Sequence, residues 1–130
     1  MTRKHQLAAL QLAIMHVLWE RNEATVAEVR EALREKRPLA YTTVATMLTK
    51  MQANGQVTHR TQGRVKVFRP SIQQDVVSKS MVNDLATRLF QGDVTEMVSH
   101  LLDGSEISAD ELARLKRLIR SKEREVQDGR

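Results

Sequence analysis

The chain has no cysteine. That excludes a disulfide framework, thiolate zinc or copper sites, an iron–sulfur cluster and a cysteine nucleophile. Aromatic residues are almost as scarce, with only Trp19, Tyr41, Phe68 and Phe90 present, so any core must be aliphatic. No hydrophobic run reaches the length of a membrane span. Arg3 and Lys4 precede a partly apolar stretch, residues 7–19, which has the outline of a signal peptide. Gln11 and His16 interrupt it, however, and Glu20-Arg21-Asn22-Glu23 stands where a small-residue cleavage site should be. The expectation is a soluble cytoplasmic protein. With 130 residues, 41% of them hydrophobic, the chain has material for one ordinary domain or two small ones and is no disordered tail.

Charge is unevenly distributed. The total is +5, but residues 1–70 hold 12 Lys and Arg against 5 Asp and Glu, while residues 71–130 hold 9 against 11. A basic head on a mildly acidic body suggests that the head meets a polyanion.

Apolar spacing predicts a first helix over residues 7–21, with Leu12, Met15, Leu18 and Trp19 on one face and Leu7, Leu10, Ile14 and Val17 widening it. Four later helix starts share one device, a small polar cap with Glu or Gln three residues on. They are Thr25 with Glu28, Ser71 with Gln74, Asp93 with Glu96, and Ser108 with Glu111. These predict helices over residues 25–36, 71–90, 93–102 and from 108 onward. A further helix over residues 42–53 buries Val44, Met47, Leu48 and Met51, and Gly55 is placed to end it in the left-handed conformation. The period then changes to that of strands at residues 57–62 and 65–69, joined by a tight Gly63-Arg64 turn, and Pro70 stops the sheet.

The order helix, helix, helix, hairpin is that of a winged helix-turn-helix. The expected fold is therefore mainly α with a small β-hairpin wing: a DNA-binding domain over residues 1–70 and a helical dimerisation domain over residues 71–130. In such a motif the second helix meets base edges in the major groove. Thr42, Thr43, Ala45 and Thr46 occupy that place, and a threonine can hydrogen-bond a base or pack its methyl on thymine. A merely solvated helix face would more often carry Ala, Glu, Lys or Gln. Lys50, Arg60, Arg64 and Lys66 are the expected phosphate contacts; basic residues on a hairpin, Lys66 and Arg69 among them, can equally serve to block edge pairing.

The histidines His5, His16, His59 and His100 form no metal-site spacing, and no phosphate loop, nucleophile elbow or HExxH is present. Neither a cofactor nor an enzymatic activity is expected. In the second half, Val77, Met81, Leu85 and Leu89 recur every four residues, followed by Val94, Met97 and Leu101 and by Leu112, Leu115 and Ile119. A thin three-helix body with such stripes is marginal alone, and a second copy of the chain would cover them while doubling the DNA contacts.

The chain resembles the BlaI/MecI/CopY family of bacterial winged-helix repressors, the penicillinase repressors. The resemblance is carried by the segments at residues 12–19 (LAIMHVLW), 25–29 (TVAEV), 40–48 (AYTTVATML), 55–57 (GQV), 63–64 (GR), 68–70 (FRP), 90–92 (FQG) and 107–112 (ISADEL). It implies a homodimer that represses transcription from palindromic operators with TACA/TGTA-type half-sites, read by Thr42, Thr43 and Thr46 with Ala45 close to the groove. It also implies, for some members, a membrane sensor metallopeptidase pathway that ends in cleavage of the fifth helix, which maps near His100-Leu101. The chain departs from the family pattern at Ala8, Phe68 and Asp93, and has His-Leu where the β-lactam repressors have Asn-Phe. The absence of cysteine removes the copper-sensing thiolates of the copper-responsive branch. The competing reading is a winged-helix scaffold for protein partners, with incidental DNA affinity.

Overall fold

The structure is a computed structural model, and it describes residues 7–129. The elements in order are α1 (Ala9–Arg21), β1 (Ala24–Thr25), α2 (Val26–Leu33), α3 (Tyr41–Ala53), β2 (Val57–Gln62), β3 (Val65–Pro70), α4 (Gln74–Phe90), α5 (Val94–Asp103) and α6 (Ala109–Asp128). The chain divides into two compact units, one ending at Asp84 and the other beginning at Leu85.

The first unit is three helices closed by a small sheet. Its core is aliphatic apart from Phe68, which is buried on β3, with Trp19 packed at the edge. Ile14, Met15 and Leu18 of α1, Val29 of α2, Val44, Leu48 and Met51 of α3 and Val57 of β2 are all fully buried. Burying each such side chain stabilises the fold by roughly 1.5–3 kcal/mol before conformational entropy is set against it.

Local sequence fixes several boundaries. Thr25 Oγ1 accepts a hydrogen bond from the Glu28 N–H at 3.1 Å, and Glu28 Oε1 accepts one from the Thr25 N–H at 2.8 Å, completing the expected reciprocal cap of α2. α2 ends at Leu33, short of the expected Lys36, where the Arg34 N–H bonds back only three residues, to Glu31. At α1, Ala8 offers no hydroxyl, and only the return bond from the Ala8 N–H to Gln11 forms. Gly55 has φ +78° at the end of α3, as its position suggested. Gly63 has φ +65° as the first central residue of the hairpin turn, a conformation that glycine adopts without a Cβ clash and that the type II′ turn requires.

The sheet has one strand more than the sequence suggested. β1 pairs antiparallel with β3, giving the order β1-β3-β2. Two cross-strand rows run over it. Ala24, Phe68 and His59 align on the core face, and Thr25, Val67 and Arg60 align on the opposite face. The sheet ends at Pro70, as expected, although Pro70 is itself the last residue of β3, opposite Val57.

α4 begins at Gln74, three residues later than Ser71, the expected cap. Tertiary hydrogen bonds hold the preceding segment out of the helix. The Trp19 indole N–H donates to the Ile72 carbonyl at 2.8 Å, and the Ser71 N–H donates to the Gln56 carbonyl at 2.9 Å. Val77 is only 1% exposed, and Ile72 and Met81 pack against the same core. The compact head therefore runs past the expected boundary at Pro70, and Val77, expected on a dimer surface, is used up inside it.

In the second unit, Asp93 and Ser108 cap α5 and α6 through the N–H groups of Glu96 and Glu111, at 3.0 and 3.1 Å. None of its described side chains is buried. Leu89 is 67% exposed, Leu101 58% and Ile119 57%, so these apolar stripes are not satisfied within the chain. No described helix is long and apolar enough to cross a membrane.

Candidate nucleic-acid interface

The interface is built on α3. Its inward face, Val44, Leu48 and Met51, is locked in the core, with Ala45 and Met47 half-buried beside it. That leaves Thr42, Thr43, Thr46, Thr49 and Lys50 exposed. The Thr49 hydroxyl donates to the Ala45 carbonyl at 3.0 Å and is thus occupied. The hydroxyls of Thr42, Thr43 and Thr46 have no partner among the described residues, so their donors and acceptors are open to a ligand. Ala45, the fourth expected base-reading residue, is half-buried between them.

The turn that leads into α3 is braced from α2: Arg30 Nε donates to the Leu39 carbonyl at 2.8 Å. Ala40, at the N-cap, supplies no side-chain acceptor. Tyr41, the first residue of α3, is 52% exposed, an aromatic side chain at the edge of the threonine face. Neither Arg30 nor Tyr41 stood out in the sequence by spacing; Tyr41 belonged to the family-like run at residues 40–48, but nothing local marked it as exposed.

Of the expected phosphate contacts, Lys50, Arg64 and Lys66 are exposed and unpaired among the described residues. Arg64 sits at the hairpin tip. Lys66 shares the sheet face of Phe68 and His59, the face on which His59 Nδ1 and Gln52 Oε1 of α3 lie 2.5 Å apart. Arg60 differs from the expectation. Its guanidinium is held by Glu23 at 2.7 and 3.2 Å, on the opposite face of the sheet, and is not free. That hydrogen bond and the Arg60 charge, with a further contribution from Arg69, hold the Glu23 carboxyl below its ordinary value, and the same pairing raises Arg60. Glu23 carried no signal in the sequence, because its partner lies 37 residues away and the strand that places it is two residues long.

No group of three or more histidines, aspartates or glutamates that could hold a metal occurs among the described residues.

The family model described as "Penicillinase repressor" matches residues 7–121 of this chain. The chain belongs to the penicillinase repressor family. Among curated relatives, the penicillinase repressor of Bacillus licheniformis is 25% identical over 114 residues, covering 88% of this chain and 89% of that one. A transcriptional regulator BlaI of Mycobacterium tuberculosis is 33% identical over 121 residues, covering 92% and 86%. The solved DNA-binding domain of the repressor BlaI superposes with a TM-score of 0.50 at 28% identity, over 57% of this chain and 90% of that one. A MarR family protein from Bacillus stearothermophilus, at 18% identity, gives 0.51 over 93% and 76%, and shares the fold alone. Within the penicillinase repressor fold, the BlaI domain supports the winged-helix reading of the head, with α3 as the second helix of its helix-turn-helix and β2–β3 as its wing.

Proposed function

We propose that this member of the penicillinase repressor family is a homodimeric transcriptional repressor. Each copy inserts α3 into a major groove of a TACA/TGTA-type palindrome and lays the β2–β3 tip along the phosphate backbone. The observation that carries the reading is the row of exposed, unpartnered threonine hydroxyls on α3 beside the unpaired cations Lys50, Arg64 and Lys66. A competitive band shift with such palindromes against scrambled duplex tests it. The palindrome should win, and Thr46→Ala should remove about 1–3 kcal/mol of that preference. Equal affinity for both duplexes at physiological salt would sink the proposal.

The dimer reading rests on the second unit, whose described side chains are all at least partly exposed. Leu85, Leu89, Val94, Met97, Leu101, Leu112, Leu115 and Ile119 are the residues we assign to the contact, and Met81 and Val77 are left to the head core. Ile119→Glu should turn the sedimenting species from dimer to monomer. We further propose release by cleavage at His100-Leu101, downstream of a membrane sensor metallopeptidase. Both residues are exposed on α5, and the cut separates Val94 and Met97 from Leu101, dividing one apolar stripe in two. Mass spectrometry of the chain from induced cells should then find a fragment ending at His100.

A further inference from the structure

Two consecutive residues of β2 point to opposite faces of the sheet and are tied down on both. On the α3 face, His59 Nδ1 lies 2.5 Å from Gln52 Oε1, and its ring rests against Phe68 with centroids 5.4 Å apart. On the other face, Arg60 meets Glu23 through Nε at 3.2 Å and a terminal nitrogen at 2.7 Å, while its other terminal nitrogen reaches Gln62 Oε1 at 3.2 Å. All three guanidinium nitrogens are thus engaged. The two-pronged arrangement is the one in which a guanidinium and a carboxylate fit best. Beneath it Val67, flanked in its row by Thr25 and Arg60, is only 6% exposed although it faces away from the main core.

We propose that His59 and Arg60 are positioning residues that clamp the wing from both faces and set its angle to α3, and that Arg60 makes no phosphate contact. The proposal rests on the DNA-binding reading above. A phosphate approaching Arg60 would meet the Glu23 carboxylate as well, so the pair offers a polyanion no net charge. Lys66, unpaired and on the α3 face, has no such neighbour. The mechanical consequence follows from strand geometry. The turn lies about 10 Å beyond Arg60 at the usual rise per residue. A 10° swing about the clamp would therefore carry Arg64 by roughly 2 Å, well outside the tolerance of a hydrogen bond to a fixed phosphate oxygen. Holding the base of the wing is what keeps its tip in register with the threonines of α3.

The test uses the full chain and three variants: Glu23→Gln, Arg60→Gln, and the exchange Glu23→Arg with Arg60→Glu, which keeps both the pair and the net charge. Two measurements are made on each. Hydrogen–deuterium exchange of residues 57–70 is followed without DNA, and binding to a fluorescent mixed-sequence duplex is followed over a range of KCl. The single variants should speed exchange in the wing and weaken binding by about two- to five-fold, as befits an exposed pair. Their salt dependence should match the wild type, and the exchanged pair should restore both readouts. His59→Phe keeps a ring on Phe68 but loses the bond to Gln52, and should speed the same amides. The proposal is overturned if Arg60→Gln leaves exchange unchanged while the salt slope falls by about 0.9 per copy, since Arg60 would then be a phosphate contact. It is equally overturned if both single variants leave exchange of residues 57–70 unchanged, since the pair would then hold nothing. If the wild type binds no duplex at all, the DNA reading fails, while the exchange data still decide the clamp.

Discussion

Arg64→Gln is the substitution whose consequence can be worked furthest from the structure. Lys50, Arg64 and Lys66 are unpaired cations on α3 and the wing, Arg60 is withdrawn by Glu23, and Arg69 lies near enough to Glu23 to feel its charge. With one phosphate per cation in each of two copies, about six counterions are released, and log K should fall against log salt with a slope of about −5.4. Raising salt from 50 to 200 mM would then cost roughly 1,800-fold in affinity. Removing Arg64 from both copies leaves about four contacts, a slope of about −3.6 and a loss near 150-fold over the same range. The effect should be the same on a TACA/TGTA palindrome and on scrambled duplex, because a phosphate contact carries no sequence information. Fluorescence anisotropy with both duplexes at several KCl concentrations measures all of this. A wild-type slope near −7 would mean that a fourth cation of each copy, Arg60 or Arg69, is also in contact, since it would add about two phosphates per dimer, and Arg60→Gln tells the two apart. An unchanged slope in Arg64→Gln, or a loss confined to the palindrome, would refute the placement of the wing tip on the backbone.

Other outcomes follow from the same structure. Leu48→Ala opens a cavity in the fully buried centre of α3 and should cost about 2–5 kcal/mol in denaturant unfolding, with DNA binding lost alongside. Asn22 has φ +73° and ψ −38°, away from the comfortable left-handed region, and its N–H bond to Leu18 would survive in glycine. Asn22→Gly should therefore stabilise the chain by about 1 kcal/mol, with relief of strain outweighing the entropy that glycine adds to the unfolded state. Thermal unfolding checks the sign. The Glu23 carboxyl is held below its ordinary value in the folded chain, so its contribution is complete above the ordinary carboxylate range and is lost as pH falls through the depressed value. Wing exchange, corrected for its intrinsic pH dependence, should stay constant from neutral pH down to that range and rise only below it.

Much of the fold was legible because much of it is local. The cap at Thr25 and Glu28 forms from residues three apart, and the Gly63-Arg64 turn needs only a glycine where φ must be positive. The outward threonines of α3 followed by subtraction once Val44, Leu48 and Met51 had been assigned inward. What was not legible depends on partners far along the chain. β1 has too few residues for any period, and exists because β3 lies beside it. Ser71 has every local mark of a cap, yet the bonds from Trp19 to Ile72 and from Ser71 to Gln56 hold the chain out of the helix until Gln74.

The sequence by itself determined the aliphatic core, the helix-turn-helix order, the basic head and the threonine face, because composition, period and capping act within a few residues. Only the tertiary structure decided where the head ends and which cations are free. Val77 joins the head because it is buried in one cluster with residues of α1, α2, α3 and the sheet, although its own helix reads as one continuous stripe. Arg60 is withdrawn from the cationic surface because antiparallel pairing sets it across the sheet from Glu23, and a charge 37 residues distant cannot be read from the pattern around either residue.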